Sequence, residues 1–367
     1  MHCTKHETVV FSFVPTLAAA VFLLLVCAVF SGCYTLTQGA AMLNYLGRAV
    51  PLESLVGPDS DNESEEMAET RRFVERVQDI RHFASDELGL TMSRNFTRYV
   101  QLDRDYLASV VSASAADSFT PHLWRFPIVG AVPYKGFFNV NDAIRERARL
   151  ERRGLDVWIR QVDAFSTLGW FSDPLFSYMR NYPVDRLADL IIHESLHATV
   201  FLRNQVPFNE ELAEFVGSEG ARLYMESRFG IDSDEYRGMI TREEDHLSFL
   251  AFIRELISEL EMLYASGASR EKTLYEKERI IAEAQQRFAA EYENRFIGDN
   301  YRGFSTMSIN NAFLELYRLY YADDHFMANL FQKSGKSLPE FITAAKSMPR
   351  RGPAGRERLA QALGLLP

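Results

Sequence analysis

Residues 187–197 read LADLIIHESLH, and this stretch dictates what the rest of the fold must support. Its apolar positions recur at helical spacing, which predicts a buried helix over about 184–202. His193 and His197 are four residues apart, so a helix projects both imidazoles from one face, close enough to bind one divalent metal ion. Glu194 follows the first histidine, as in H-E-x-x-H sites, where it acts as base towards the attacking water. The stretch therefore predicts a helix that carries a metal site.

The third metal ligand is predicted on the next helix. A metzincin would need glycine at position 200 and histidine at position 203, but Val200 and Arg203 stand there. A carboxylate is the other solution: Asn209 is a good N-cap, which would place Glu210 in the first turn of a helix folded back beside the first. Glu214, one turn later, could accept the ring N–H of a ligating histidine and fix its orientation. We therefore predict Zn²⁺ bound by the two histidines and Glu210.

The predicted chemistry is hydrolysis of a peptide bond. Zn²⁺ acidifies water and polarises a carbonyl, and Glu194 would take the proton of that water and return it to the leaving amine. The alternative is a helix without metal, on which two core histidines bond to their neighbours. A donor to the developing oxyanion is also expected. Several side chains are open as this donor: Tyr134, Tyr182, Tyr320, Tyr321 and His325.

The N-terminal residues are different in kind. Val9–Phe30 is almost wholly apolar, and residues 30–33, FSGC, resemble a bacterial lipobox in which Cys33 becomes the lipidated first residue. The alternative is an uncleaved transmembrane helix, for which this run is long enough. All three cysteines lie at or before residue 33, so the mature domain has no disulfide and no thiol, which suits an oxidising envelope. We predict a periplasm-facing or otherwise extracytoplasmic protein attached to the membrane.

Composition indicates a soluble globular domain behind this anchor. The chain has 367 residues, of which 47% are hydrophobic and 25% charged, and its formal net charge is −10. Nucleic-acid binding needs clustered lysine and arginine, so this charge argues against nucleic acid as a partner. The missing cysteines also exclude a cysteine nucleophile and a cysteine-rich zinc finger. A metal site must use histidines and carboxylates.

The pattern along the chain predicts an α+β fold in which helices predominate. We expect a signal segment at 1–33, a linker at 34–66, a catalytic core at 67–230 and a helical C-terminal region at 231–367 packed on that core. Periodicity predicts helices at 67–88, 140–153, 184–202 and 209–229, a helical hairpin over 241–296 broken at Gly267, and two helices within 308–347. Short apolar runs predict strands at 105–111, 126–132 and 155–162.

Several segments together resemble a known family. They are 32–34 (GCY), 126–130 (FPIVG), 132–138 (VPYKGFF), 154–157 (GLDV), 166–174 (STLGWFSDP), the two metal segments and 309–312 (INNA). On these segments the chain resembles the predicted bacterial aminopeptidases, H-E-x-x-H proteins of the gluzincin type. The resemblance implies a zincin-like core, zinc ligands at His193, His197 and Glu210, Glu194 as catalytic base, and a protein that is often lipid-anchored and faces the periplasm. The chain departs from residues usual in the family at Phe137, Phe165 and Ser195-Leu196.

The substrate is expected to be an extended peptide. It would pair with an exposed edge of the 155–162 strand, with residues 165–174 as a wall of the cleft. An aminopeptidase must also neutralise the substrate ammonium, and Asp173 or Glu211 could do so. An endopeptidase with the same site and a non-catalytic lipoprotein that binds peptides are the alternative functions.

Overall fold

The fold is known from a computed structural model, which describes residues 41, 43–57, 64–126, 130–162, 173–318, 326–349 and 351–366. Helices predominate over small sheets, which confirms the predicted α+β class. The predicted signal segment, with Val9–Phe30 and Cys33, lies outside the described residues. Within the described ranges, no helix is both long enough and apolar enough to cross a membrane.

Most of the described chain is helical. We number the helices α1 (Glu65–His82), α2 (Val140–Glu151), α3 (Val184–Thr199), α4 (Val206–Phe229), α5 (Asp234–Ala265), α6 (Arg270–Arg295), α7 (Asn311–Arg318), α8 (Phe326–Ser334), α9 (Leu338–Ser347) and α10 (Gly355–Ala362). Serine caps explain three of the starts, because the hydroxyls of Ser64, Ser233 and Ser269 accept hydrogen bonds from backbone N–H groups in the first turns of α1, α5 and α6. Between α5 and α6, Gly267 has a φ of +71°, and this left-handed turn confirms the predicted break of the hairpin.

Short strands form two small sheets and a separate hairpin. The strands are β1 (Val50–Pro51), β2 (Arg98–Val100), β3 (Ala108–Ala115), β4 (Trp124–Phe126), β5 (Gly130–Val132), β6 (Tyr134–Phe137), β7 (Leu155–Val162) and β8 (Leu175–Phe176). One sheet has the order β1-β2-β8 and the other β6-β3-β7, while β4 pairs only with β5. In the second sheet β3 is antiparallel to both neighbours, so among the described residues β7 is an edge strand.

The helix pair α3 and α4 lies in the largest hydrophobic core. Their buried faces share this core with α1, and residues of α8, α9 and α10 complete it. α3 and α4 run antiparallel. They approach closely, since a Cβ at Gly220 of α4 would lie 2.9 Å from Cγ2 of Ile192 of α3. A second, aromatic-rich core lies between α5, α6 and α7. A third and smaller core packs α2 against β3 and β7.

The structure differs from several sequence predictions. The predicted strand 126–132 is wrong, because its described residues belong to two strands, β4 and β5. The prediction of two helices within 308–347 is also wrong, since the described residues there form α7, α8 and α9. Gly335, with φ +61°, ends α8, and a capping box of Ser337 and Glu340 begins α9. Within the predicted linker, Leu52 is buried in the main core.

Candidate metal centre

The two histidines of α3 and one glutamate of α4 converge. The imidazole rings of His193 and His197 lie 4.8 Å apart and nearly perpendicular, at 84°. Oε2 of Glu210 is 3.7 Å from Nε2 of His193, and its Oε1 is 3.5 Å from Nε2 of His197. One ligand atom from each residue lies within 4.8 Å of the others. The structure thus brings together the three predicted metal ligands.

The two middle residues of the motif hold the helix in place. Leu196 is buried in the main core, and Ser195 is buried with its hydroxyl donating to the Ile191 carbonyl at 2.6 Å. The hydroxyl of Thr199 donates to the Ser195 carbonyl and accepts from the Thr91 N–H at 2.8 Å. The helix face that carries Ser195 and Leu196 is therefore fixed to the core, while the two histidines lie on the opposite face.

The start of α4 is not formed as the sequence suggested. The predicted N-cap at Asn209 is wrong: α4 begins at Val206, with Pro207 in its first turn, where the missing N–H costs nothing. Asn209 is buried inside the helix, and its side chain forms two hydrogen bonds of 2.9 Å with the backbone N–H and carbonyl of Leu202. This amide clamp fixes the loop between the helices. It places Glu210 in the second turn, opposite the histidines.

The donor set fits a zinc ion. Two imidazoles and one carboxylate leave a fourth tetrahedral position for water or substrate. Both ring nitrogens of His197 are buried, and among the described residues neither has a hydrogen-bond partner. Its distance of 3.5 Å to Glu210 exceeds the usual range of about 2.7–3.2 Å. Unsatisfied buried nitrogens are costly, whereas metal ligation would satisfy Nε2.

The charges around the site keep the Glu210 carboxylate ionised and make the Glu194 carboxylate a stronger base. The neighbouring imidazoles of His193 and His197 lower the pKa of Glu210 to about 2. Burial acts to lower the pKa of His193, but the carboxylates of Glu210, Glu194 and Asp189 outweigh it and raise this pKa. Burial raises the pKa of Glu194, although the two histidines oppose the shift. A raised pKa brings a glutamate closer to the pH at which a general base works best.

Asp189 is a component of the site that the sequence analysis missed. It lies one turn before His193 on α3, and burial raises its pKa to about 6, while His193 opposes the shift and Glu214 adds to it. Gly217 of α4 faces this carboxylate, and a Cβ at Gly217 would clash with Asp189 and lie 3.1 Å from Cβ of His193. The signal was present in the sequence, because a spacing of four residues places Asp189 on the helix face of His193.

The other predicted site residues do not join the ligand cluster. Glu214 is exposed, one turn after Glu210 on α4. Tyr134 is exposed on β6, at the sheet edge opposite β7. Asp173 is partly buried; its N–H donates to the Asn95 side chain at 3.1 Å. The candidates Tyr320, Tyr321 and His325, and most of the 165–174 loop, lie outside the described residues.

Fold and site together define a class, a predominantly helical α+β protein with a candidate His-His-Glu metal centre beside a partly buried glutamate. A family model described as "Putative aminopeptidase" matches residues 33–360. The chain belongs to this family, which supports a peptidase function. Neither a curated protein nor a solved structure matches the chain.

Proposed function

We propose that the protein is a zinc-dependent aminopeptidase of the cell envelope, with a zincin-like core. The observation that carries the proposal is the convergence of ligand atoms from His193, His197 and Glu210 within 4.8 Å. Family membership supports the peptidase part. When bound, Zn²⁺ would supply a Lewis acid that polarises a peptide carbonyl and makes a nearby water more acidic.

The protein's own groups would move the proton. Glu194 follows the first histidine, and burial gives its carboxylate a raised pKa, so it is a stronger base than an exposed glutamate. In this proposal it accepts a proton from the attacking water and delivers it to the nitrogen of the leaving amine. Asp189 and Glu210 balance positive charge around His193. These four side chains belong to one packed helix pair, which keeps their separations fixed.

The edge of β7 supports peptide binding. Ala113 of β3 turns its carbonyl away from β7, because it accepts from the His122 N–H at 2.8 Å. Val157 lies opposite Ala113 in the antiparallel ladder, so Val157 directs its own N–H and carbonyl to the open side. By the same alternation Ile159 and Gln161 also face outward. Among the described residues, no backbone group pairs with them on that side. An extended peptide could therefore add there as a further strand.

An exopeptidase also needs an acceptor for the substrate ammonium. Glu211 is already engaged, since its two carboxylate oxygens accept from Nε and an Nη of Arg356, both at 2.9 Å. We assign the ammonium to Asp173, which belongs to the 165–174 segment that we expect to form a wall of the cleft. Its backbone is held at both ends of the residue, by the Asn95 side chain and by the Phe96 N–H at 2.8 Å. Asp173→Asn should raise KM for free amino termini; an unchanged KM would remove this assignment.

The envelope location rests on the sequence, with Cys33 as the lipidated residue and the uncleaved apolar segment Val9–Phe30 as the alternative anchor. Mass spectrometry of the membrane-extracted protein separates the two. A mature chain that begins at a lipidated Cys33 is expected. An unmodified chain that still contains the apolar segment would contradict lipidation.

A zinc titration of metal-free protein tests the metal part of the proposal. Competition with a chromophoric chelator should give one zinc per chain, and Glu210→Gln should weaken binding by about tenfold or more, because outer partners alone account for about that much. Glu219→Gln is the matched control, since Glu219 lies on the same helix but pairs with Arg222. Equal zinc affinity in both variants would contradict the assigned ligand.

Peptides with free and acetylated N-termini test the aminopeptidase part. The zinc-loaded enzyme should release the first residue of a free peptide and leave the acetylated peptide intact. Equal cleavage of the two would instead establish an endopeptidase with the same site.

A further inference from the structure

The segment 309–312 (INNA) lies outside the metal site, yet its asparagines bind the sheet directly. Nδ2 of Asn310 donates to the Val157 carbonyl of β7 at 3.0 Å, and its Oδ1 accepts from the Phe313 N–H at 3.2 Å, which caps α7. Nδ2 of Asn311 donates to the Ala115 carbonyl of β3 at 2.9 Å. The start of α7 is thereby fixed against one end of β7.

The contact of Asn310 uses an outward-facing group of the open edge. Leu155, Val157, Ile159 and Gln161 are the residues of β7 whose backbone groups face away from β3. The Val157 carbonyl is occupied by the Asn310 amide, and among the described residues the outward groups of Ile159 and Gln161 have no such partner. The accessible edge is therefore short and ends at Val157.

The two ends of β7 also differ in their surroundings. Val162 packs against the main core, which contains the buried residues of α3, whereas Val157 belongs to the small core around α2. A peptide that pairs antiparallel with β7 would have its amino end beside Val162 and would run towards Asn310. This direction places a free N-terminus at the end of the edge that shares a core with the metal-bearing helix.

We propose that Asn310 closes the peptide-binding edge of β7 and so restricts the enzyme to short peptides. The proposal rests on the peptidase function proposed above and names its substrate class. Two outward residues can pair with about three residues of an extended strand, and the next pair of hydrogen bonds would need the Val157 position. Residues beyond that point gain no further backbone contact with β7.

A peptide ladder tests this proposal. Peptides with one fixed, free N-terminal residue are lengthened at the carboxyl end from dipeptide to octapeptide. Cleavage (kcat/KM) is measured with the zinc-loaded wild type, and binding is measured with Glu194→Gln. In Asn310→Ser the hydroxyl can still cap α7 while the amide contact with Val157 is lost. Asn311→Ser is the matched control, because it removes the amide contact of α7 with the Ala115 carbonyl and leaves Asn310 on the Val157 carbonyl.

In the wild type and in Asn311→Ser, both quantities should rise to about the tetrapeptide and then level off. In Asn310→Ser the rise should continue for about two more residues, by about two- to tenfold for each added hydrogen bond. A plateau at the same length in all three proteins, with cleavage intact, would overturn the role of Asn310. A wild-type ladder in which cleavage and binding never level off would also overturn it. This result can be obtained with the wild type alone and does not depend on the folding of a variant. If the zinc-loaded wild type neither binds nor cleaves any peptide, the proposed function itself fails.

Discussion

At the scale of single residues, the site depends on carboxylates that two packed helices shield from water. Asp189 is the clearest case, because burial raises its pKa from 3.8 to about 6. The unfolded chain releases this proton near pH 4, and the folded protein keeps it until about pH 6. The folded state therefore binds more protons in that window, and stability falls as pH rises through it. A buried carboxylate beside a metal site costs folding free energy when the metal is absent.

Replacing this carboxylate should stabilise the metal-free protein. Asp189→Asn removes the group that must ionise, so the free energy of unfolding at pH 7 should rise by on the order of 1–3 kcal/mol. The decline between about pH 4 and 6 should become shallower. Urea unfolding at several pH values measures both effects, with exposed Asp232→Asn as a control for the charge change. A pH profile identical to that of the control would contradict the burial of Asp189.

At the scale of elements, the C-terminal helix α10 holds the start of α4. Arg356 binds Glu211 through two hydrogen bonds of 2.9 Å, and its guanidinium lies 4.5 Å from the centre of the Phe326 ring. The N–H of Gly355 donates to the Gln205 side chain at 2.5 Å. These contacts lie on either side of the turn that carries Glu210. They should limit how far its carboxylate can move from the histidines.

Loss of this contact should weaken metal binding without touching a ligand. Arg356→Ala should lower zinc affinity by about tenfold, as changes to outer partners do, and Arg356→Lys should fall in between because lysine lacks the paired donors. Chelator competition measures the affinity. Arg279→Ala, which breaks exposed pairs with Glu276 and Glu283 on α6, should leave it unchanged. An unchanged zinc affinity in Arg356→Ala would show that α10 does not position Glu210.

Local elements were predictable where spacing alone determines them. The strand 155–162 and the start of α3 at Val184 agree with the sequence, because apolar periodicity and flanking turn residues mark both. The start of α4 could not be predicted from the sequence, because Pro207 and Asn209 both favour helix starts. Which of the two is used depends on the bonds of Asn209 to Leu202, seven residues earlier, and a propensity does not contain that contact. The contact of Arg356 could not be predicted either, since its partner Glu211 lies 145 residues away in the sequence.

At the scale of the whole molecule, a buried ion pair joins the helical hairpin to the β7 sheet. Lys277 of α6 and Asp156 of β7 are 3% and 14% exposed, with Nζ and Oδ2 at 2.9 Å. The same Oδ2 accepts from the Asn311 N–H of α7 at 2.9 Å. One carboxylate thus connects three elements, which explains how the C-terminal half supports the strand to which we assign peptide binding.

Removing one partner should be far more damaging than removing both. Lys277→Met leaves the largely buried Asp156 carboxylate without its counter-ion, so the free energy of unfolding should fall by about 3–5 kcal/mol. The double variant Lys277→Met/Asp156→Asn should recover part of this loss. Urea unfolding followed by two probes measures both values. A loss below about 1 kcal/mol, in the range of exposed pairs, would contradict a structural role for this contact.

The measurement that tests the central claim most directly is peptide cleavage by zinc-loaded Glu194→Gln. Its side chain keeps the size of glutamate but cannot accept a proton from water. The variant should bind one zinc per chain with wild-type affinity and cleave a free peptide about 10²- to 10⁴-fold more slowly, which is the range for general acid–base catalysis. Cleavage at the wild-type rate with zinc bound would contradict the assignment of Glu194 as base. An inactive variant that has lost its zinc would contradict the separation of base and ligands on which the proposed site depends.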